Sequence, residues 1–254
     1  MKISRPFSLS LTVILSIAGL CVGGCADVMT YSRDSQRAGL KLYAEGNYAD
    51  AAGAFKNSVR QNPLNYEGYY YLGSSYEKLQ QYQQAIAAYK TARQTMMVDV
   101  EGRHDDAMKQ KILNGIASTI ASSDPRNIEL DAAQQAAENQ GTADNWFILG
   151  KIFALRGDPD SAVDAYNRAL LLEPNNFFVA KDFGLYLEQI GQSDRAQATL
   201  RRAYSLNNDD PQVIASLRKM GVITGPSLSS ESQFGAPAAP ETITPSRTAA
   251  APRD

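Results

Sequence analysis

An all-α solenoid of stacked antiparallel helix pairs is the fold this sequence predicts. Three observations carry it: residue types recur every 34 positions, small residues recur where two helices must cross, and glycine and proline punctuate the intervals as turn signals. One helix pair cannot bury its apolar face alone, so copies of the pair must stack.

The period shows in self-comparison. Gly39 and Gly73 stand one period apart, as do Ala51 and Ala85, Phe55 and Tyr89, and Ser58 and Ala92. Further along, Gly150 and Gly184, Ala162 and Ala196, Tyr166 and Leu200, and Ala169 and Ala203 repeat the same interval. Gly73 and Gly150 are separated by two periods plus nine positions, so the repeat continues through the middle with an insertion. Copies fall at 32–65, 66–99, 143–176 and 177–210.

Each recurrent residue has a physical task. Trp146, Leu149 and Phe153 follow i, i+3, i+7 and form one stripe of a first helix. Gly39, Gly73, Gly150 and Gly184, with Ala51, Ala85, Ala162 and Ala196, are small because two helices cross closely there. Tyr166 and Ala169 are expected to pack on the neighbouring pair. Gly46, Gly157 and Gly191 each follow a first helix, where a left-handed residue closes the end. Asp158-Pro159 reads as an N-cap followed by the first helical residue, and Pro63 and Pro174 close second helices. The first copy has Ser35 and Ala38 at places usually large and apolar, as a solvent-facing end copy would. Val213, Ile214 and Leu217 predict a capping helix over 211–221.

These residues at this spacing resemble the tetratricopeptide repeat. The resemblance implies a superhelical solenoid whose first helices line a concave groove for partner peptides or helices. Carried onto this chain, the groove positions are Arg33, Gln36, Leu40 and Tyr43, then Tyr70, Ser74 and Glu77. Phe147, Lys151 and Leu155 follow, and last Phe178, Lys181, Leu185 and Glu188. Such a mixture of aromatic and charged residues suits peptide anchors, although Tyr70 and Phe147 could instead pack between repeats. The Lys and Asn clamp that chaperone-binding members use for a terminal carboxylate is absent at these positions.

The segment 100–142 fits the repeat least. Helices are expected near 105–122 and 126–139. Met108, Ile112, Ile116 and Ile120 give one apolar face, and Ile128, Ala132 and Ala136 suggest the other. This is either a divergent fifth pair with a long entry loop or a joint between two lobes.

The chain starts with Lys2 and Arg5 and then an apolar run from Phe7 to Val22, the pattern of a secretory signal. That run is shorter than the roughly 20 residues a membrane-spanning helix needs. Val22-Gly23-Gly24-Cys25 resembles the bacterial lipobox: an aliphatic residue, two small residues, then the cysteine whose thiol takes the lipid. Residues 1–24 are read as the signal, Cys25 as the lipidation site and 25–31 as a short tether. Ordinary cleavage after Ala26 is the alternative. Cys21 would leave with the signal, so a mature chain has one cysteine and no internal disulfide. The stretch 222–254, rich in Pro, Ala, Ser and Thr, is too poor in large apolar residues to form a core of its own.

A net charge of -2 excludes a strongly basic nucleic-acid binder. The single histidine, His104, stands beside Asp105 and Asp106 without further ligands at metal spacing. No phosphate loop, nucleophile elbow or paired catalytic carboxylate motif occurs, so no catalytic residue, metal, cofactor or small-molecule substrate is expected. Lipoproteins with such repeats resemble pilotins and tight-adherence pilus lipoproteins, and adaptors of envelope hydrolases and outer-membrane assembly. The resemblance implies a protein-binding scaffold in the bacterial envelope, lipid-anchored and facing the periplasm from the outer membrane. Its partners would be proteins or peptide segments at the membrane, in a pilus, secretion or other envelope machine. The alternative is an adaptor of cell-wall hydrolases or proteases.

Overall fold

The computed structural model describes residues 21–98, 105–123 and 126–225, with side chains from residue 31 onward. Within these the chain is all-helical, with no strand. The helices in order are α1 Cys21–Ala44, α2 Tyr48–Gln61, α3 Tyr66–Lys78, α4 Tyr82–Val98, α5 Asp106–Ser123 and α6 Ile128–Gln140. They continue as α7 Ala143–Arg156, α8 Pro159–Leu172, α9 Phe177–Gln189, α10 Ser193–Leu206 and α11 Pro211–Lys219. Two compact units divide at Val179 and Ala180, in the first turn of α9.

The ends of the first helices explain the shape of each pair. Gly46, Gly157 and Gly191 take φ of +80°, +76° and +79°, as a left-handed stop requires. The copy between them has Gln80 at this place with φ +59°. In all four copies the amide just beyond the stop reaches back along the first helix: Asn47 to Leu42 O, Gln81 to Tyr76 O, Asp158 to Phe153 O and Gln192 to Leu187 O, at 2.8 to 3.0 Å. Such six-to-one bonds occupy carbonyls that the helix end leaves over, and they turn the chain into the second helix. That helix then starts on a side-chain cap in two copies: Asn47 accepts from Asp50 N, and Asp158 from Ser161 N with Pro159 following.

In the first unit, α1 packs on α2, α3 on α4, and α7 on α8. The crossing is the same in each. A Cβ added at Gly39 would stand 2.7 Å from the Phe55 ring, at Gly73 2.8 Å from Tyr89, and at Gly150 2.9 Å from Tyr166. The missing side chain of the first helix is therefore the seat of a ring from the second. Phe55, Tyr89 and Tyr166 are sealed from solvent there, each contributing about 2–3 kcal/mol by burial. Tyr166 lies on Gly150 of its own pair. Ala51, Ala85 and Ala162 are wholly buried.

The middle segment departs from the repeat. Helix α5 packs on α4 and α7 and barely touches α6, while α6 lies on α7. Met108, Ile112, Ile116 and Ile120 are all buried on α5. On α6 the expected face is wrong. Ile128 is 62% exposed, Ala132 is exposed, and Leu130 and Ala137 are the buried residues. Helix α6 touches only one neighbour closely, so its buried stripe is narrow and runs i, i+7. Lys90 Nζ to Glu129 Oε2 at 2.6 Å and Arg156 Nη1 to Asn127 Oδ1 at 2.6 Å hold its start in place.

In the second unit Gly184 repeats the same device, with Leu200 Cγ 2.6 Å from a Cβ placed there, and Ala196 wholly buried. Helix α11 packs on α10 and buries Val213 and Leu217.

Residues 25–31, expected as a tether, form the first turns of α1. They rise about 1.5 Å each in that form rather than the roughly 3.3 Å of extended chain. Most of the expected signal, His104, residues 124–125 between the two expected helices and the tail from 226 lie outside the described residues. Among the described residues no helix is long and apolar enough to cross a membrane.

Candidate partner-binding surface

Adjacent first helices meet through side chains at two recurrent positions. In the first copy the fifth residue is Gln36. Its amide oxygen accepts from Asn65 Nδ2 at 2.8 Å, and its nitrogen donates to Glu67 Oε2 at 2.9 Å. Asn65 is the N-cap of α3 and accepts from Gly68 N. In the last copy the fifth residue is Lys181, which donates to Asp210 Oδ2 at 2.7 Å. Asp210 is the N-cap of α11. Both reaches span 29 residues.

The twelfth residue behaves alike. Tyr43 Oη lies 2.6 Å from Ser74 Oγ, and Lys219 donates to Glu188 Oε1 at 2.7 Å, each across 31 residues. Expected groove positions therefore join one first helix to the next, and α11 meets α9 as a further first helix would. Lys181 and Glu188 are held in these ion pairs, at 17% and 18% side-chain exposure. Lys219 holds the Glu188 carboxyl below the usual carboxylate range; burial opposes it, and the Ser216 hydroxyl adds to the lowering. Burial pushes Asp210 up. Lys181 and the amides of Val213 and Gln212 together overcome it and leave the carboxyl low.

Phe147 is corrected outright. It is 0% exposed and packs edge-to-face on Tyr166 at 5.9 Å, so it belongs to the core of its pair and cannot meet a partner. Its neighbour Trp146 is half-buried instead, under the Arg168 guanidinium at 4.5 Å. Lys151 is half-buried on α7, and Leu155 is 54% exposed near its end.

Phe178 is half-buried and meets Phe177 edge-on at 5.2 Å. Both line a cleft of about 430 Å³ with Asp106, Lys109, Gln110 and Asp144. Lys109 and Asp144 of this lining form an ion pair at 2.8 Å. Arg93 stands 3.9 Å from Asp144, and burial lowers its pKa against the pull of that carboxylate.

The strip along α1, α3 and α5 is the richest surface. Tyr43 bonds Ser74, and Tyr70 lies edge-on to Tyr71 at 5.1 Å and tilted over Tyr89 at 5.8 Å. Tyr43 also meets Tyr48 and Tyr71 edge-on, and Tyr71 stacks on Phe55 at 5.5 Å. Glu77 accepts from Tyr89 Oη at 2.7 Å and from Ser118 Oγ at 3.3 Å, which ties α3 to α5. Tyr89 is gripped twice: a Cβ at Gly115 would stand 2.6 Å from its ring, as one at Gly73 would at 2.8 Å. Burial, then the Glu77 carboxylate, hold the Tyr89 hydroxyl protonated far above its ordinary range. Tyr70 is also raised, by burial first and then by Tyr43, Tyr71 and Glu77. Tyr43, Tyr70 and Tyr71 remain half-buried. Of the sequence-expected residues, Tyr43, Tyr70, Ser74 and Glu77 thus come together. Tyr71 was missed, and its signal was the unbroken run Tyr69-Tyr70-Tyr71.

Among the described residues no group of three His, Cys, Asp or Glu could hold a metal ion.

Comparison with known families matches tetratricopeptide-repeat models to residues 37–95, 143–176 and 182–210. A thermophilic tetratricopeptide-repeat protein of Thermus thermophilus is 20% identical, with a TM-score of 0.45, over 76% of this chain and 100% of that one. YrrB, described as a tetratricopeptide-repeat protein with an unusual peptide-binding site, is 14% identical over 72% of this chain and 90% of its own, with a TM-score of 0.39. MamA from Desulfovibrio magneticus RS-1, from residue 41 to its end, is 14% identical over 71% and 97%, with a TM-score of 0.38. No curated protein matches the chain.

Proposed function

We propose that this chain, which carries tetratricopeptide repeats, is a lipid-anchored scaffold that holds protein partners at the surface of a bacterial membrane. Tetratricopeptide repeats serve protein–protein interaction, and the coarse reading rests on them. The observation that carries the site is the strip of Tyr43, Tyr70, Tyr71 and Glu77 along successive first helices. Large, rigid, amphipathic rings give contact area at low entropic cost, and tyrosine is enriched among residues that dominate binding energy. Anchoring rests on the sequence: the positive start, the apolar run and Val22-Gly23-Gly24-Cys25. A diacylglyceryl anchor supplies two chains, where one alone binds only marginally. The machine served is assembly of a pilus, secretion or related envelope apparatus, from the periplasmic face of the outer membrane.

The test has two arms. Mass spectrometry of the mature protein should find lipid on Cys25, and Cys25→Ser should leave an uncleaved precursor. A mature chain starting at Asp27 without lipid would overturn the anchor. Crosslinking in intact cells should recover a partner that Tyr70→Ala loses while the thermal transition is kept. Unchanged capture by that variant would move the binding surface elsewhere.

A further inference from the structure

The strip holds more tyrosine than its fold needs. Ten of the thirteen tyrosines lie between residues 31 and 89. The repeat needs a large apolar residue at 89 and accepts an aromatic at 69. At the places equivalent to Tyr70 the other copies have Gln36, Phe147 and Lys181. At those equivalent to Tyr71 they have Arg37, Ile148 and Asp182. Two of the three counterparts at each place are polar or charged, so the repeat itself does not fix an aromatic there. Their arrangement is a set of edge-on contacts from Tyr48 through Tyr43 to Tyr71 and Tyr70, half-buried, with Glu67 beside Tyr71 and Glu77 beside Tyr70. Shallow rows of tyrosine with few charges suit proline-rich chain: the pyrrolidine rings lie on aromatic faces, and the segment loses little entropy because proline has already restricted it.

Such a segment is present in this chain. The stretch 226–254 holds five of the eleven prolines. Gly235-Ala236-Pro237-Ala238-Ala239-Pro240 places two prolines at i and i+3, and Pro245 follows. Proline favours the left-handed extended helix with a threefold turn, in which this spacing returns both rings to one edge. The alanines between add no bulk, and Glu241 is the only charge from 235 to 245. We infer that the tyrosine strip of α1 and α3 is the dock for the Pro237–Pro245 segment of this chain, which competes there with partner proteins. The inference deepens the scaffold reading and rests on it: the strip that takes partners is the one the tail covers.

The test uses the full chain. Ala239→p-benzoyl-phenylalanine is irradiated, and the crosslinked peptides are identified. The expected crosslinks fall between residues 36 and 77. A monomeric or a dimeric product supports the proposal alike and tells which copy supplies the segment. Pro237→Ala with Pro240→Ala, changes remote from the described core, should lower the yield at least tenfold. Tyr70→Ala should do the same, and Tyr70→Phe, which keeps the ring and the packing, should retain at least half. Crosslinks confined to other helices, no crosslink at all, or a yield indifferent to the two prolines would overturn the dock. If the crosslink fails while Tyr70→Ala still loses partner capture in cells, the scaffold reading stands and the tail is not its ligand.

Discussion

The ring of Tyr166 fills the space that Gly150 leaves open, so that a Cβ at 150 would stand 2.9 Å from Tyr166 Cγ. Gly150→Ala should overpack this crossing and cost about 1–3 kcal/mol. Tyr166→Ala should cost about 3–5 kcal/mol through the cavity it opens, on the scale of other large aromatic truncations. The two share one volume, so their costs should not add. The double variant should lose clearly less than the sum, read by urea denaturation of the four proteins of the cycle. Strict additivity would mean that the ring and the glycine are not in contact.

Gln80 is the counter-case. It takes the left-handed stop at φ +59° where the other copies place glycine. A side chain there costs about 1 kcal/mol or more. Gln80→Gly should therefore stabilise by about 0.5–1 kcal/mol, the gain being reduced by the greater freedom of glycine in the unfolded chain. A fall in denaturation midpoint would show that Gln80 makes contacts worth more than its strain.

Alkaline pH should loosen the first two repeats. Tyr89, Tyr70 and Tyr71 have hydroxyls raised above the ordinary value of 10.0, chiefly by burial. Above pH 10 the unfolded chain releases these protons and the folded one retains them, so stability falls as pH rises. Below pH 10 this contribution is fully present. Tyr89→Phe should be less stable at neutral pH because Glu77 loses its donor, yet its stability should decline less steeply between pH 10 and 11. Parallel pH profiles for the two proteins would show that Tyr89 does not supply the slope.

Acid should act on the other end. Asp210 caps α11, accepting from Gln212 N at 3.0 Å and Val213 N at 3.1 Å, while it holds Lys181. Its pKa is depressed, so its contribution is present above the unfolded value of about 3.8 and is lost as pH falls through the folded one. Asp210→Ala should cost about 0.5–2 kcal/mol at pH 7 through the cap alone. Lys181→Met should instead retain the cap and raise the acid midpoint. The same acid midpoint in Lys181→Met and the parent would rule out the ion pair as its source.

What could be read from sequence was what is local. Gly150 and Tyr166 sit in one copy, and period and residue size alone identify their crossing. The burial of Phe147 was not legible because α7 is apolar on nearly every side, from Trp146 through Leu149 to Ile152 and Phe153. Periodicity selects a face only when the opposite face is polar. Three helices, α5, α6 and α8, pack around α7 and decide the matter in space. Lys181 and Glu188 read as partner-facing in the sequence because their acceptor and donor lie 29 and 31 residues away, at the cap and in the body of a helix that follows the fourth copy. A recurrence was nevertheless available. Gln36 and Asn65 have the same separation as Lys181 and Asp210, and a search for polar pairs at that offset would have found both.

The glycine–ring contact also bears on how fast the chain reaches its fold. In every copy its two members lie within half a repeat of each other, and the turn between them is stopped by its own backbone bonds. Closing so short a loop costs little, and proteins dominated by near-neighbour contacts fold quickly. Each helical hairpin can thus nucleate on its own ring and recruit the next. A longer step is Tyr89 onto Gly115, across a separation that includes 99–104. Folding from the amino-terminal side should pause there, with two hairpins formed and α5 not yet docked. A substitution at Gly115 should then slow refolding, while one at Gly39 should leave that step unchanged.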